Sequence, residues 1–200
     1  MVFIPTFFFV SVTPGMCMTL ALSLGMTVGV RRALWMMLGE LAGVGLVACL
    51  AVIGVATLML KYPLLFLLLK YGGGLYLAYL GIQLWRSKGK LALSPVDLGP
   101  RHIPASTLVS QGFVTAIANP KGWAFFIALL PPFIDSQAPL AGQLIGLVAI
   151  ILTLEFICLL LYASGGRTLS RVLLQKGKVR LMNRIAGSLM LGVALWLALG

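Results

Sequence analysis

The sequence predicts an all-α, polytopic membrane protein. Six transmembrane helices form two inverted three-helix repeats, and the first helix of each repeat is broken near its middle. Three observations lead there. Of 200 residues, 60% are hydrophobic and only 10% charged, with a mean hydropathy of +1.07, where a soluble domain averages about 25% charged. That much apolar surface cannot be folded away inside a globule of this size, so lipid must solvate most of it. Next, apolar runs of about 20 residues recur, the length that spans the hydrocarbon core as a helix. Finally, polar and helix-breaking residues interrupt two of these runs at corresponding places in the two halves.

Span 1 covers 2–25. Its start, MVFIPTFFFV, lacks a basic n-region and an A-x-A site, so it reads as a first span and not a removed signal peptide. Thr13, Pro14 and Gly15 lie near its middle, in FFFVSVTPGMCMTLAL. Gly29 separates it from span 2 at 33–60, and Tyr62-Pro63 separates that from span 3 at 64–86. The segment 87–107, SKGKLALSPVDLGPRHIPAST, is the one long polar linker and divides a first half, 1–86, from a second, 108–200. Span 4, 108–134, contains GFVTAIANPKGWAFFIALLPPFI, with Asn119, Pro120, Lys121 and Gly122 mid-span. Asp135-Ser136 leads to span 5 at 139–165, and the basic segment 166–180 leads to span 6 at 181–200.

The net charge of +11 follows this pattern. Arg31 and Arg32 follow span 1, and Arg86, Lys88, Lys90 and Arg101 follow span 3. Arg167, Arg171, Lys176, Lys178, Arg180 and Arg184 follow span 5. Basic residues between apolar spans set topology and imply no nucleic-acid partner. The positive-inside rule puts these links in the cytoplasm and both termini outside, as an even number of spans requires.

Pro removes a backbone donor and clashes with the preceding turn, and Gly weakens a helix further. In lipid, backbone groups freed in this way must be satisfied by protein or by a water-lined cavity. Span 1 enters from outside and span 4 from the cytoplasm, so the two breaks run in opposite directions. Paired interruptions of this kind point to a transporter site near the midplane, where half-helix ends offer N–H groups to a carboxylate and C=O groups to a cation. An amino acid carries both charges. A pair of plain packing kinks is the structural alternative.

Ionisable residues inside a span cost at least about 2.5 kcal/mol at the helix centre and are usually functional. Glu40 and Glu155 both fall roughly 10–15 Å from the cytoplasmic end of their spans at about 1.5 Å per residue. They are not equivalent by the repeat, but they can share one polar cavity. Each suits a group that alternately carries a proton and pairs with a substrate ammonium; a hydrogen bond to a helix break or to Lys121 is the structural alternative. Lys121, at the midplane, either binds a substrate carboxylate or pairs with a Glu. Trp123, beside the break, either walls the cavity or packs. Gly39-x-x-x-Gly43 and Gly72-Gly73-Gly74 allow close helix approach, within the chain or between subunits of a homo-oligomer.

The TPG of span 1, the span 4 block with NPK, FF and LPPF, and KYGGGLYLAYLGIQLWRS in span 3 resemble the lysine exporter (LysE/RhtB) family. TLE in span 5 and NRIAGSLMLGVALWLAL at the end fit as well, so the resemblance covers nearly the whole chain in order. It implies a bacterial inner-membrane exporter of amino acids or related metabolites, driven by inward proton flow. The family commonly continues TPG with Pro-Asn. Met16 and Cys17 stand there in this chain, which implies a bulkier or less polar substrate.

Other classes fit less well. The chain has no Walker motif for an ATP-driven pump. An ion or metal-cation transporter, the alternative within the same superfamily, needs a denser ligand set than two intramembrane Glu. The three cysteines, Cys17, Cys49 and Cys158, form no CxxC, and the single His lies in the linker, so thiol-transfer and Ser-His chemistry lack their residues. No enzyme activity, cofactor or resident metal is expected. Two carboxylates suit a cationic amino acid; one of them acting as proton carrier suits a neutral one equally.

Overall fold

The computed structural model describes residues 3–86, 103–130, 133–135, 138–174 and 176–199. Every regular element among them is helical: α1 (Phe3–Val12), α2 (Met16–Thr27), α3 (Val30–Lys61), α4 (Pro63–Arg86), α5 (Ala105–Ile117), α6 (Pro120–Leu129), α7 (Leu140–Leu174) and α8 (Lys176–Leu199). α3 and α7 are each long and apolar enough to cross a membrane, and α1 with α2 makes a third such span if the bent pair counts as one. Leu64, Leu75 and Ile145 are each more than 70% exposed, among many exposed large apolar side chains, a surface that suits lipid better than water.

Both expected breaks are present. α1 and α2 meet at an angle of 54°. α5 stops at Ile117, and α6 starts at Pro120 with Asn119 as its N-cap. Pro at the first helical position is well placed, because its missing N–H has no intrahelical partner there. Pro63 opens α4 in the same way. Gly29 turns the chain between α2 and α3 at φ +83°, a conformation that other residues rarely adopt.

Some boundaries differ from expectation. Span 4 was expected to reach 134, but α6 ends at Leu129 with Leu130 as its C-cap, where the Pro-Pro that follows in the sequence supplies no N–H to carry the helix on. The basic segment 166–180, expected to separate two spans, is helical over 166–174 and again from Lys176. It has no proline, and Leu, Arg, Lys and Gln are good helix formers. Residues 87–102 of the expected linker, His102 included, lie outside the described residues, and α5 already begins at Ala105.

The helices pair across the chain's midpoint: α3 on α5, α4 on α8, and α2 on α7. Small residues let the backbones meet. A Cβ added at Gly39 would land on the Val109 carbonyl, and one at Gly112 on the Met36 carbonyl. Gly81 and Gly187 face each other's carbonyls in the same way between α4 and α8. Of Gly72-Gly73-Gly74, Gly72 has open space beside it and Gly74 is buried.

The core comes in two apolar layers. One gathers Phe3, Phe7, Val44, Val47, Phe125, Phe126 and Ile151. The other gathers Met18, Leu22, Met36, Met37, Leu108, Leu159 and Tyr162. Along α3 the first layer begins at Val44 and the second ends at Met37; along α7 the first ends at Ile151 and the second begins at Cys158. Glu40 and Glu155 fall in those two gaps.

Candidate functional site

Between the two layers lies a cavity of about 50 Å³, lined by Ser11, Thr13, Gly15, Cys17, Glu40, Asn119, Lys121 and Glu155, with Phe7, Val10, Val44, Val47, Phe125 and Phe126 on its apolar side. At about 10–15 Å³ per water-sized probe, it has room for a few waters. An amino acid requires it to widen.

The first break leaves carbonyls without helical donors, because Pro14 has no N–H and the chain turns away. Side chains replace the donors. The Thr13 hydroxyl donates to Phe9 O at 2.6 Å. The Lys121 ammonium donates to Val10 O at 2.7 Å, adding to the longer bond of 3.3 Å that this carbonyl accepts from the Thr13 N–H. The Tyr162 hydroxyl, from α7, donates to Val12 O at 2.7 Å. On the far side of the break, Gly15 O accepts from both the N–H and the hydroxyl of Thr19. Gly15 gives α2 no side-chain cap, so the first N–H groups of α2 are not capped by a side chain.

The second break is closed mainly from within. The Asn119 carboxamide oxygen accepts from Lys121 N at 3.2 Å, a standard N-cap bond. That N–H would serve Ile117 O in an unbroken helix. The indole N–H of Trp123 serves it instead, at 2.8 Å. The Asn119 amide also reaches the Cys17 sulfur at 3.6 Å, which joins the two breaks.

Glu40 is fully buried and Glu155 nearly so. Glu155 lies within electrostatic reach of Lys121 and within interaction range of Ser11 and Glu40. The Cys17 thiol and the Glu155 carboxyl approach Glu40. Even so, both Glu40 oxygens are buried and accept no hydrogen bond. A buried carboxyl left in that condition is costly, and its natural partner is a ligand or a proton.

Of the residues expected from sequence, Thr13, Gly15, Glu40, Asn119, Lys121 and Glu155 all line this cavity. Pro14 does not. It lines a second cavity, shared with Lys121, Gln83, Leu84 and Met190, on another side of the break. Pro120 shapes α6 from its first position. Trp123 packs against the phenylalanine-rich layer and is not part of the cavity wall. Cys17, singled out from sequence with Met16 as standing in place of the family's Pro-Asn, lines the cavity too, whereas sequence reasoning missed Ser11 and Tyr162. Tyr162 carried a usable signal, since it lies two helical turns from Glu155 on the same face of α7. Among the described residues, no group of three or more His, Cys, Asp or Glu side chains gathers to hold a metal ion.

The sequence model of the family described as LysE type translocator matches residues 8–200. An uncharacterized membrane protein of Vibrio cholerae is 28% identical over 94% of this chain and 90% of its own. A homoserine/homoserine lactone efflux protein of Salmonella typhimurium is 28% identical, with the same shares of the two chains covered. A leucine efflux protein of Enterobacter sp. is 31% identical over 96% of this chain and 90% of its own. No solved structure matches the chain significantly.

Proposed function

This chain belongs to the LysE type translocator family, and on that premise we propose that it is a secondary exporter of neutral amino acids that works by proton antiport and alternating access in a bacterial inner membrane. The observation that carries this is the cavity between two helix breaks, where a carboxyl group, Glu40, is buried without a partner beside Glu155 and Lys121.

In this reading the chain crosses the bilayer six times, as α1–α2, α3, α4, α5–α6, α7 and α8, with both termini periplasmic. Residues 1–86 and 108–200 are the two inverted halves, and 87–107 is the cytoplasmic linker. The bond from Arg32 to Ile103 O, 2.6 Å, supports this, because it joins the link after span 1 to the end of that linker.

Charge balance suggests the coupling. One lysine offsets one carboxylate. The second carboxyl then needs either a proton or the ammonium of a substrate, and it cannot hold both. Loading substrate from the cytoplasm releases the proton inward, and unloading outside lets a new one enter. The eight apolar side chains on the cavity wall, Met18 and Ala116 among them, favour an uncharged substrate side chain over a cationic one. Relatives whose names specify leucine or homoserine efflux are consistent with that choice.

The test is flux from proteoliposomes that hold labelled leucine, homoserine and lysine, with and without an imposed pH gradient. Gradient-dependent movement of the neutral amino acids, with lysine retained, is the expected result. Lysine moving first would reverse the substrate class, and movement indifferent to the gradient would remove the antiport.

A further inference from the structure

We propose that Lys121 is a tethered stand-in for the substrate's ammonium group, holding its place while the carrier is empty. This rests on the exporter reading above and adds to it a role for a residue whose sequence reading left two options open.

A free amino acid offers an ammonium and a carboxylate. The carbonyl end of a half-helix carries the negative end of the helix dipole and attracts the first of these. In this structure that end belongs to α1, and an ammonium is already there: Lys121 Nζ lies 2.7 Å from Val10 O. Val10 lines the same cavity as Glu40 and Glu155. The lysine comes from α6, beyond the second break, so one bond ties the two broken spans together across the cavity. Lys121 also lines the neighbouring cavity beside Pro14 and Gln83, so its side chain has open space on two sides.

A substrate entering the cavity brings a second ammonium to the same carbonyl and the same carboxyls. Two like charges do not share one acceptor in a low-dielectric site. The substrate ammonium takes Val10 O and the carboxyl pair, and Lys121 turns to the substrate carboxylate. The tie between α1 and α6 is then made through the substrate. When the substrate leaves, Lys121 closes the tie again and the empty carrier can return. The charged group facing Lys121 is Glu155 from α7, with the Cys17 and Cys158 thiols beside it, and Glu40 from α3 lines the same cavity.

Two transport modes separate this role from a structural one. Exchange of labelled for unlabelled leucine needs only the loaded carrier, whereas net efflux into leucine-free medium needs the empty one to return. Lys121→Met is expected to reduce net efflux at least about tenfold further than it reduces exchange, which loses only the lysine's contact with the substrate carboxylate. Methylammonium added to Lys121→Ala is expected to restore part of the net efflux. Lys121→Arg, which keeps the cation, is expected to retain both modes and covers the case in which the methionine variant does not fold. Equal loss of both modes in folded Lys121→Met, or loss of net efflux alone in Lys121→Arg, overturns the proposal. A wild-type protein idle in both modes, with homoserine as well as leucine, overturns the exporter reading and this inference with it.

Discussion

The indole N–H of Trp123 donates to the carbonyl of Ile117 at 2.8 Å, bridging the break in the second half of the chain from its own far side. Trp123→Phe removes that donor and leaves a part-buried carbonyl unpaired, a loss of about 1 kcal/mol. The expected outcome is a lower melting temperature in detergent with little change in which amino acids are carried. Changed selectivity at unchanged stability would return Trp123 to the cavity wall.

Glu155 and Glu40 sit close together in one cavity from two different helices. Glu155→Gln and Glu40→Gln each keep the shape of the side chain and remove its ability to ionise. Both variants are expected to melt near the wild-type temperature and to lose export driven by a pH gradient. If either responds to the gradient as the wild type does, that carboxyl has no part in coupling.

Gly112 touches the Met36 carbonyl and the Glu40 N–H across the α3–α5 seam. A methyl group has no room there. Gly112→Ala is expected to destabilise the protein by about 1–3 kcal/mol or more, with backbone movement beside Glu40. Thermal melting measures the first, and reduced flux at a matched amount of folded protein measures the second. Gly72→Ala, where a Cβ meets open space, is the control and is expected to be silent.

Cys17 occupies a position on the cavity wall, within reach of the Asn119 amide. Cys17→Asn puts an amide there, as the resemblance to the lysine exporter family suggests. Transport is expected to shift toward homoserine relative to leucine, read as the ratio of the two fluxes in one vesicle preparation. An unchanged ratio would mean that this position does not select the side chain.

Much of this was legible before any coordinates. Pro14 and Pro120 break helices through covalent geometry, and a local cause shows in local sequence. Glu40 and Glu155 stand out because ionisable groups are rare in apolar spans. Their convergence was harder to read, since it depends on how α3 and α7 pack. The partners of the freed carbonyls were not legible at all. Lys121 and Tyr162 are 111 and 150 residues away from the atoms that they serve, and no periodicity connects them. The segment 166–180 misled for another reason: its charges mark where the membrane ends, and a helix does not have to end there.

The two apolar layers also act as insulation. A bacterium stores energy as a voltage across its membrane, and any continuous thread of water through a protein would short-circuit it. Here the polar cavity lies between a phenylalanine-rich layer and a layer of Met, Leu and Tyr162. On the proposed exporter reading, moving cargo would mean unsealing one layer while its counterpart stays shut, so that at no instant would a conducting path join the two sides.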